Sequence, residues 1–112
     1  MLTIETLKEL GADTDSGVAR CVNDESFYLK MVNLALQDGN FDKLKESIDS
    51  GDLDAAFECA HALKGAMGNV SLTTLFEPLS EITEELRARN DIDYSGYLDT
   101  IFSELEKFRS TL

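Results

Sequence analysis

Apolar residues recur at steps of three and four along almost the whole chain, and no alternating run is long enough to compete as a strand. Thr3 is placed to cap a first short helix over residues 4–10, which Gly11 stops. A polar turn over 12–17 leads into a short segment around 18–22. Next, Phe27, Met31, Leu34, Phe41, Leu44 and Ile48 keep to helical steps if Asp38 fills the missing place. That stripe predicts one long helix over about 24–50, with Gly39-Asn40 as the point where it kinks or breaks.

Clearer punctuation follows at Ser50-Gly51-Asp52, where Gly51 ends one helix and Asp52 caps the next, over about 53–70. Thr74 with Glu77 reads as a capping box for a third helix, with Pro78 early enough to do little harm. Its inner stripe is Leu75, Leu79, Ile82 and Leu86, and it ends near Arg89-Asn90. Asp93 is placed to cap a last helix with the stripe Tyr94, Tyr97, Leu98, Ile101, Leu105, Phe108 and Leu112. Four amphipathic helices on short loops cannot bury their stripes singly. The expected fold is therefore all-α, an antiparallel four-helix bundle with a short additional N-terminal helical segment, in a single domain over 1–112.

Composition narrows the chemistry. The chain is large enough for a real core, 43% of it is apolar, and no long apolar run marks a membrane span. The first apolar residues are interleaved with Glu5, Lys8 and Glu9, unlike a signal peptide, so the expected location is the cytoplasm with Cys21 and Cys59 as reduced thiols. Cys59 and His61 point about 200° apart on one helix and cannot share an ion, so no metal site is expected. A net charge of −12 repels phosphate backbones and argues against nucleic-acid binding.

The only histidine, His61, sits in the helix over 53–70. With about 100° per residue, Leu63, Ala56, Met67, Ala60 and Val70 gather between roughly 180° and 260° from it and form the core stripe. Asp54, Gly65, Gly68, Phe57 and Lys64 lie within roughly 60° of the histidine. His61 should therefore face solvent from the middle of a helix. Lys64, one turn on, can offset the charge of a phosphoryl group on the ring. Gly65 and Gly68 each cost a helix about 1 kcal/mol relative to alanine. Their place away from the core stripe favours close approach by another protein over packing against a neighbouring helix. Phe57 reads as an exposed apolar residue of the same docking patch.

The run His61-Ala62-Leu63-Lys64-Gly65, with Gly68 beyond it, resembles the signature of histidine-containing phosphotransfer (HPt) domains. Gly17-Val-Ala-Arg-Cys-Val-Asn-Asp-Glu25 with Phe27-Tyr28, and Ser50-Gly51-Asp52, resemble the family's flanking pattern, so the likeness spans roughly 13–89. It implies that His61 is phosphorylated, through Nε2, by an aspartyl phosphate of a response-regulator receiver domain and passes the group to another receiver. Lys64 matches the family lysine near the phosphohistidine, and Gly65 the glycine that leaves room for the receiver. The chain departs from the pattern at Ser71, where many members have glycine.

Imidazole is a nucleophile near neutral pH, and phosphoryl transfer asks for in-line approach and charge neutralisation. No nucleotide loop or kinase motif set is present, so a carrier inert alone is expected, with no cofactor of its own and Mg²⁺ on the receiver. Nothing demands more than a monomer. Receiver specificity is assigned to Phe57, Glu58, Ala62 and Asn69. Three other readings stand beside this one: a phosphorylated domain of a larger kinase, with a sensor histidine kinase as donor; a helical adaptor that docks a receiver and transfers nothing; and a metal-binding bundle, which lacks the paired Glu sets.

Overall fold

The chain forms seven helices, four of them started by a short polar cap and two of them ended at a glycine, and the computed structural model describes all of residues 1–112. Helix α1, Ile4–Glu9, opens on a capping box in which Thr3 and Thr6 each bind the other's backbone N–H. Gly11, at φ +91°, reverses the chain. Helix α2, Thr14–Arg20, starts earlier than the turn read over 12–17, because the Asp13 carboxylate accepts the Ser16 N–H at 3.2 Å and caps it. Residues with turn composition here form a cap and a first helical turn.

The long helix expected over 24–50 is two helices, α3 (Glu25–Leu36) and α4 (Asn40–Asp49). Gln37 and Asp38 close the end of α3 with turn bonds to Leu34 and Ala35, and the Asp38 carboxylate accepts the Asn40 N–H at 2.9 Å. Asp38 thus ends the ladder instead of filling a place in the stripe. The break also corrects the inner face of α3. Tyr28, Val32 and Leu36 are fully buried, while Phe27 is 44% and Leu34 56% exposed and Met31 is half-buried. In α4 the expected residues Phe41 and Leu44 do face the core, with Ile48 at its margin.

Helix α5, Leu53–Asn69, is capped by Asp52, which accepts the Ala55 N–H at 3.1 Å, and follows Gly51 at φ +78°. Its inner face is Ala56, Cys59, Ala60, Leu63 and Met67, with Val70 buried just beyond. Helix α6, Thr73–Arg87, begins two residues too early for a Thr74–Glu77 capping box. Leu72, fully buried, occupies the N-cap position, so packing sets where α6 starts, and the Thr74 hydroxyl is left buried without a partner. Pro78 sits inside α6, where it removes one N–H from the ladder. Helix α7, Ser95–Arg109, starts beside the Asp93 carboxylate, which accepts the Ser95 N–H at 2.9 Å. Leu98, Ile101, Leu105 and Phe108 line its buried face, whereas Leu112 is exposed.

α5 and α6 fold back on each other about Leu72. Gly68 meets Phe76, four residues either side of it, and Phe57 meets Arg87, fifteen either side. α7 closes the bundle against the broken first helix. Phe102 packs edge-on to Phe41 with centroids 6.4 Å apart, and Arg109 Nε donates to the Leu36 carbonyl at 2.8 Å. The partners run in opposite directions along the two segments, so the fold is the expected antiparallel four-helix bundle, with α1 and α2 as the N-terminal addition. No helix is long and apolar enough to cross a membrane.

One side chain makes the closest packing between α2 and this bundle. A Cβ on Gly17 would lie 2.3 Å from the Tyr28 ring, so the ring packs directly on the α2 backbone, and the Tyr28 hydroxyl donates to the Val70 carbonyl at 2.8 Å. Gly17→Ala is expected to destabilise by about 1–3 kcal/mol through overpacking. Gly96→Ala, in open space in the first turn of α7, is expected to stabilise by about 0.5–1 kcal/mol. Urea midpoints of the two variants check the contrast.

Burial pushes the Tyr28 phenol up to about 12 from its ordinary 10.0. The stability this proton contributes is complete below pH 10 and is lost as the pH rises through about 12, on the order of 2–3 kcal/mol in all. Alkaline unfolding should therefore steepen over that window. Tyr28→Phe should flatten most of the limb while lowering neutral-pH stability by about 1–3 kcal/mol, since the Val70 carbonyl loses its donor. A residual limb belongs to Tyr94, also raised by burial.

Candidate functional site

Because Ala56, Ala60, Leu63 and Met67 turn one face of α5 inward, the opposite face presents His61 to solvent from the middle of a 17-residue helix. Lys64 stands half-buried one turn on. Glu58, Ala62, Gly65 and Asn69 are exposed and border a hollow of about 440 Å³ along one flank of the histidine.

The two glycines separate in role. A Cβ on Gly65 would meet nothing within 4 Å, so the backbone beside His61 is open. A Cβ on Gly68 would lie 3.1 Å from the Phe76 ring of α6. Gly68 therefore serves the close packing of two helices of this chain, contrary to the expectation that it clears the way for a partner, and of the two glycines Gly65 alone leaves open backbone.

Phe57 is also not the exposed docking residue expected. It is half-buried against the core, its ring 5.6 Å from that of His61 at an interplanar angle of 36°. The guanidinium groups of Arg87 and Arg89 each lie 5.0 Å from its centroid. Arg89 donates through Nε to Asp54 at 2.7 Å, and Arg87 pairs with Glu84 at 3.2 Å. The aromatic ring thus forms a floor beneath the imidazole on one side, itself covered by two tethered cations.

On the other side α2 builds a wall. A cleft of about 460 Å³ opens between α2 and the α5–α6 junction. Its lining comprises His61, Lys64, Gly65, Gly68 and Asn69 of α5, Asp13, Ser16 and Arg20 from the α2 segment, and Ser71, Thr73 and Phe76. Beyond Tyr28, two ties fix this wall: Asp13 N–H donates to the Ser71 carbonyl at 2.9 Å, and Ser71 Oγ donates to Ser16 Oγ at 3.3 Å. Ser71 itself has φ +56°, a left-handed conformation that costs a serine about 1 kcal/mol and that glycine adopts freely. The departure from glycine at this position therefore leaves the backbone turn intact and adds a hydroxyl that reaches α2.

Arg20, Asp13 and Ser16 carry no sequence signal linking them to His61, since the contact runs through the Gly17–Tyr28 packing. Arg87 and Arg89 were within reach of sequence reasoning. Once a hairpin about Leu72 is drawn, they fall opposite Phe57 and Asp54. Cys21 and Cys59 are free and buried, and no group of three or more His, Cys, Asp or Glu side chains is arranged to hold a metal ion. The arrangement suits an imidazole nucleophile that meets an anionic group at an open, cation-flanked surface.

Comparison with known proteins gives one family. The family model of the Hpt domain matches residues 32–111, which include His61, Lys64 and Gly65. No curated protein and no solved structure matches the chain. With well over half its length matched and an all-helical bundle as its fold, the chain belongs to the Hpt domain family, the phosphorelay carriers of two-component signalling.

Proposed function

We propose that His61 is the phosphoryl acceptor and donor of this carrier, exchanging the group with aspartates of response-regulator receiver domains. The observation that carries the reading is the exposed imidazole in mid-helix with Lys64 one turn away and open backbone at Gly65. The lone pair of a neutral ring nitrogen attacks phosphorus, the P–O bond to the receiver's aspartate breaks, and the carboxylate leaves. The proton on the other ring nitrogen passes to solvent. Lys64 offsets the charge on the phosphoryl oxygens, and Gly65 lets the receiver's backbone approach in line. Mg²⁺ is supplied by the receiver, and the chain has no kinase or phosphatase activity of its own.

Glu58, Ala62 and Asn69, exposed around His61, contribute to partner choice. Phe57 acts there through the His61 ring it supports. Residues 1–112 work as one domain and as a monomer, in the cytoplasm, where Cys21 and Cys59 stay reduced. An ATP-dependent sensor histidine kinase is a second donor on this reading, reaching the same nitrogen.

Incubation with a receiver phosphorylated by a small-molecule donor and Mg²⁺ should label wild type, with acid-labile, alkali-stable label, and leave His61→Gln unlabelled. Binding without transfer across a panel of receivers would instead make the chain an adaptor. Lys64→Gln should slow transfer about tenfold, the effect of roughly 1.4 kcal/mol in the transition state. Gly65→Ala should leave the melting temperature equal or raised, since the helix gains up to about 1 kcal/mol, yet slow transfer tenfold or more. A Gly65→Ala variant that transfers at the wild-type rate would remove the close-approach argument.

A further inference from the structure

The cleft beside His61 holds a second cation for which the family likeness supplies no role. Arg20, in the last turn of α2, lines it together with Lys64 and His61. In a chain with 22 acidic and 10 basic side chains, neither Arg20 nor Lys64 has a carboxylate within ion-pair distance. The one carboxylate on the wall, Asp13, is engaged with the Ser16 N–H at the start of α2.

The backbone that carries the exposed Arg20 is fixed by more than its own helix. Gly17, three residues earlier, is pressed against the Tyr28 ring, and Asp13 and Ser16 are both tied to Ser71. Immediately after it the chain turns through Val22 and Asn23, at φ 52° and 58°. Val22 is 81% exposed, so burial of its side chain does not explain why a β-branched residue accepts the left-handed region. The turn sharply reverses the chain, ending α2 beside the cleft and allowing Asp24 to cap α3.

We propose that Arg20 is a second cation for the phosphoryl group on His61, contacting its oxygens from α2 while Lys64 contacts them from α5. A phosphoryl group on the ring carries up to two negative charges, and two cations from opposite walls neutralise it better than one while leaving the Gly65 side open to the receiver. The inference rests on His61 as phosphoacceptor.

Phosphoramidate separates the two ideas because it needs no receiver. The His61 nitrogen attacks its phosphorus, the P–N bond breaks, and ammonia leaves with protons already on the donor nitrogen. The ring proton then passes to solvent. Uptake would be timed for wild type, Arg20→Gln, Arg20→Lys and, as a control for net charge, Lys30→Gln, whose side chain borders a different cleft. Arg20→Gln is expected to slow uptake about fivefold at low salt, the effect of one cation a few ångströms from the reacting charge, with the deficit shrinking as salt rises. Arg20→Lys should recover most of the rate, Lys30→Gln should match wild type, and all four proteins should melt together. Equal rates for Arg20→Gln and Lys30→Gln overturn the role of Arg20 and leave His61 as acceptor. Wild type that takes up no label at His61 overturns both.

Discussion

Tyr28 lies fully buried with its ring on the backbone of Gly17 and its hydroxyl on the carbonyl of Val70, so one side chain joins α2, α3 and the junction of α5 with α6. Burying an aromatic ring of this size stabilises by about 2–3 kcal/mol, and its hydrogen bond satisfies a carbonyl at a helix end. Without that contact α2, only seven residues long, would keep only the bonds of Asp13 and Ser16 to Ser71. The wall of the cleft beside His61 depends on it, because Asp13, Ser16 and Arg20 reach the cleft only where α2 docks. Stability and site geometry are thus linked through a residue outside the motif helix.

The electrostatics around His61 run against the protein as a whole. A net charge of −12 covers the molecule, yet Lys64 and Arg20 share its cleft, and Arg87 and Arg89 cover the adjoining Phe57. Arg87 and Arg89 are paired with Glu84 and Asp54, which holds them over the ring and lessens their reach into solvent. Of these four, Lys64 and Arg20 are the two without a carboxylate partner. If the ring is the phosphoryl carrier, an anionic group on it would meet these two cations within a molecule of strongly negative net charge.

Gly65 and Gly68 show how the same sequence feature serves two ends. Both lie on the outer face of α5 by helical arithmetic, but α6 packs closely enough at its start for Phe76 to cover Gly68. The helical wheel gives an angle and no account of which neighbour reaches over the edge of a face. Phe57 teaches the same point from the other end of the hairpin, since the arginines that cover it arrive from the last turn of α6 and the residues just after it.

Periodicity, caps and glycine stops determined the all-helical class, the α5 core stripe and the outward direction of His61, because each of these is set within one or two helical turns. The motif from His61 to Gly65 was legible for the same reason. Tertiary structure decided the rest. The face that α3 turns inward depends on Gly17 and α7 as partners, so Tyr28, Val32 and Leu36 won over a stripe through Phe27 and Leu34 that was equally good locally. The start of α6 followed the burial of Leu72 over the capping box at Thr74. Arg20 was invisible beside His61 because forty-one residues separate them in the chain, and only packing brings α2 to that wall. Local rules specify what a helix is and which side of it is apolar; which neighbour covers an edge is a competition among distant segments, settled by how closely their side chains fit.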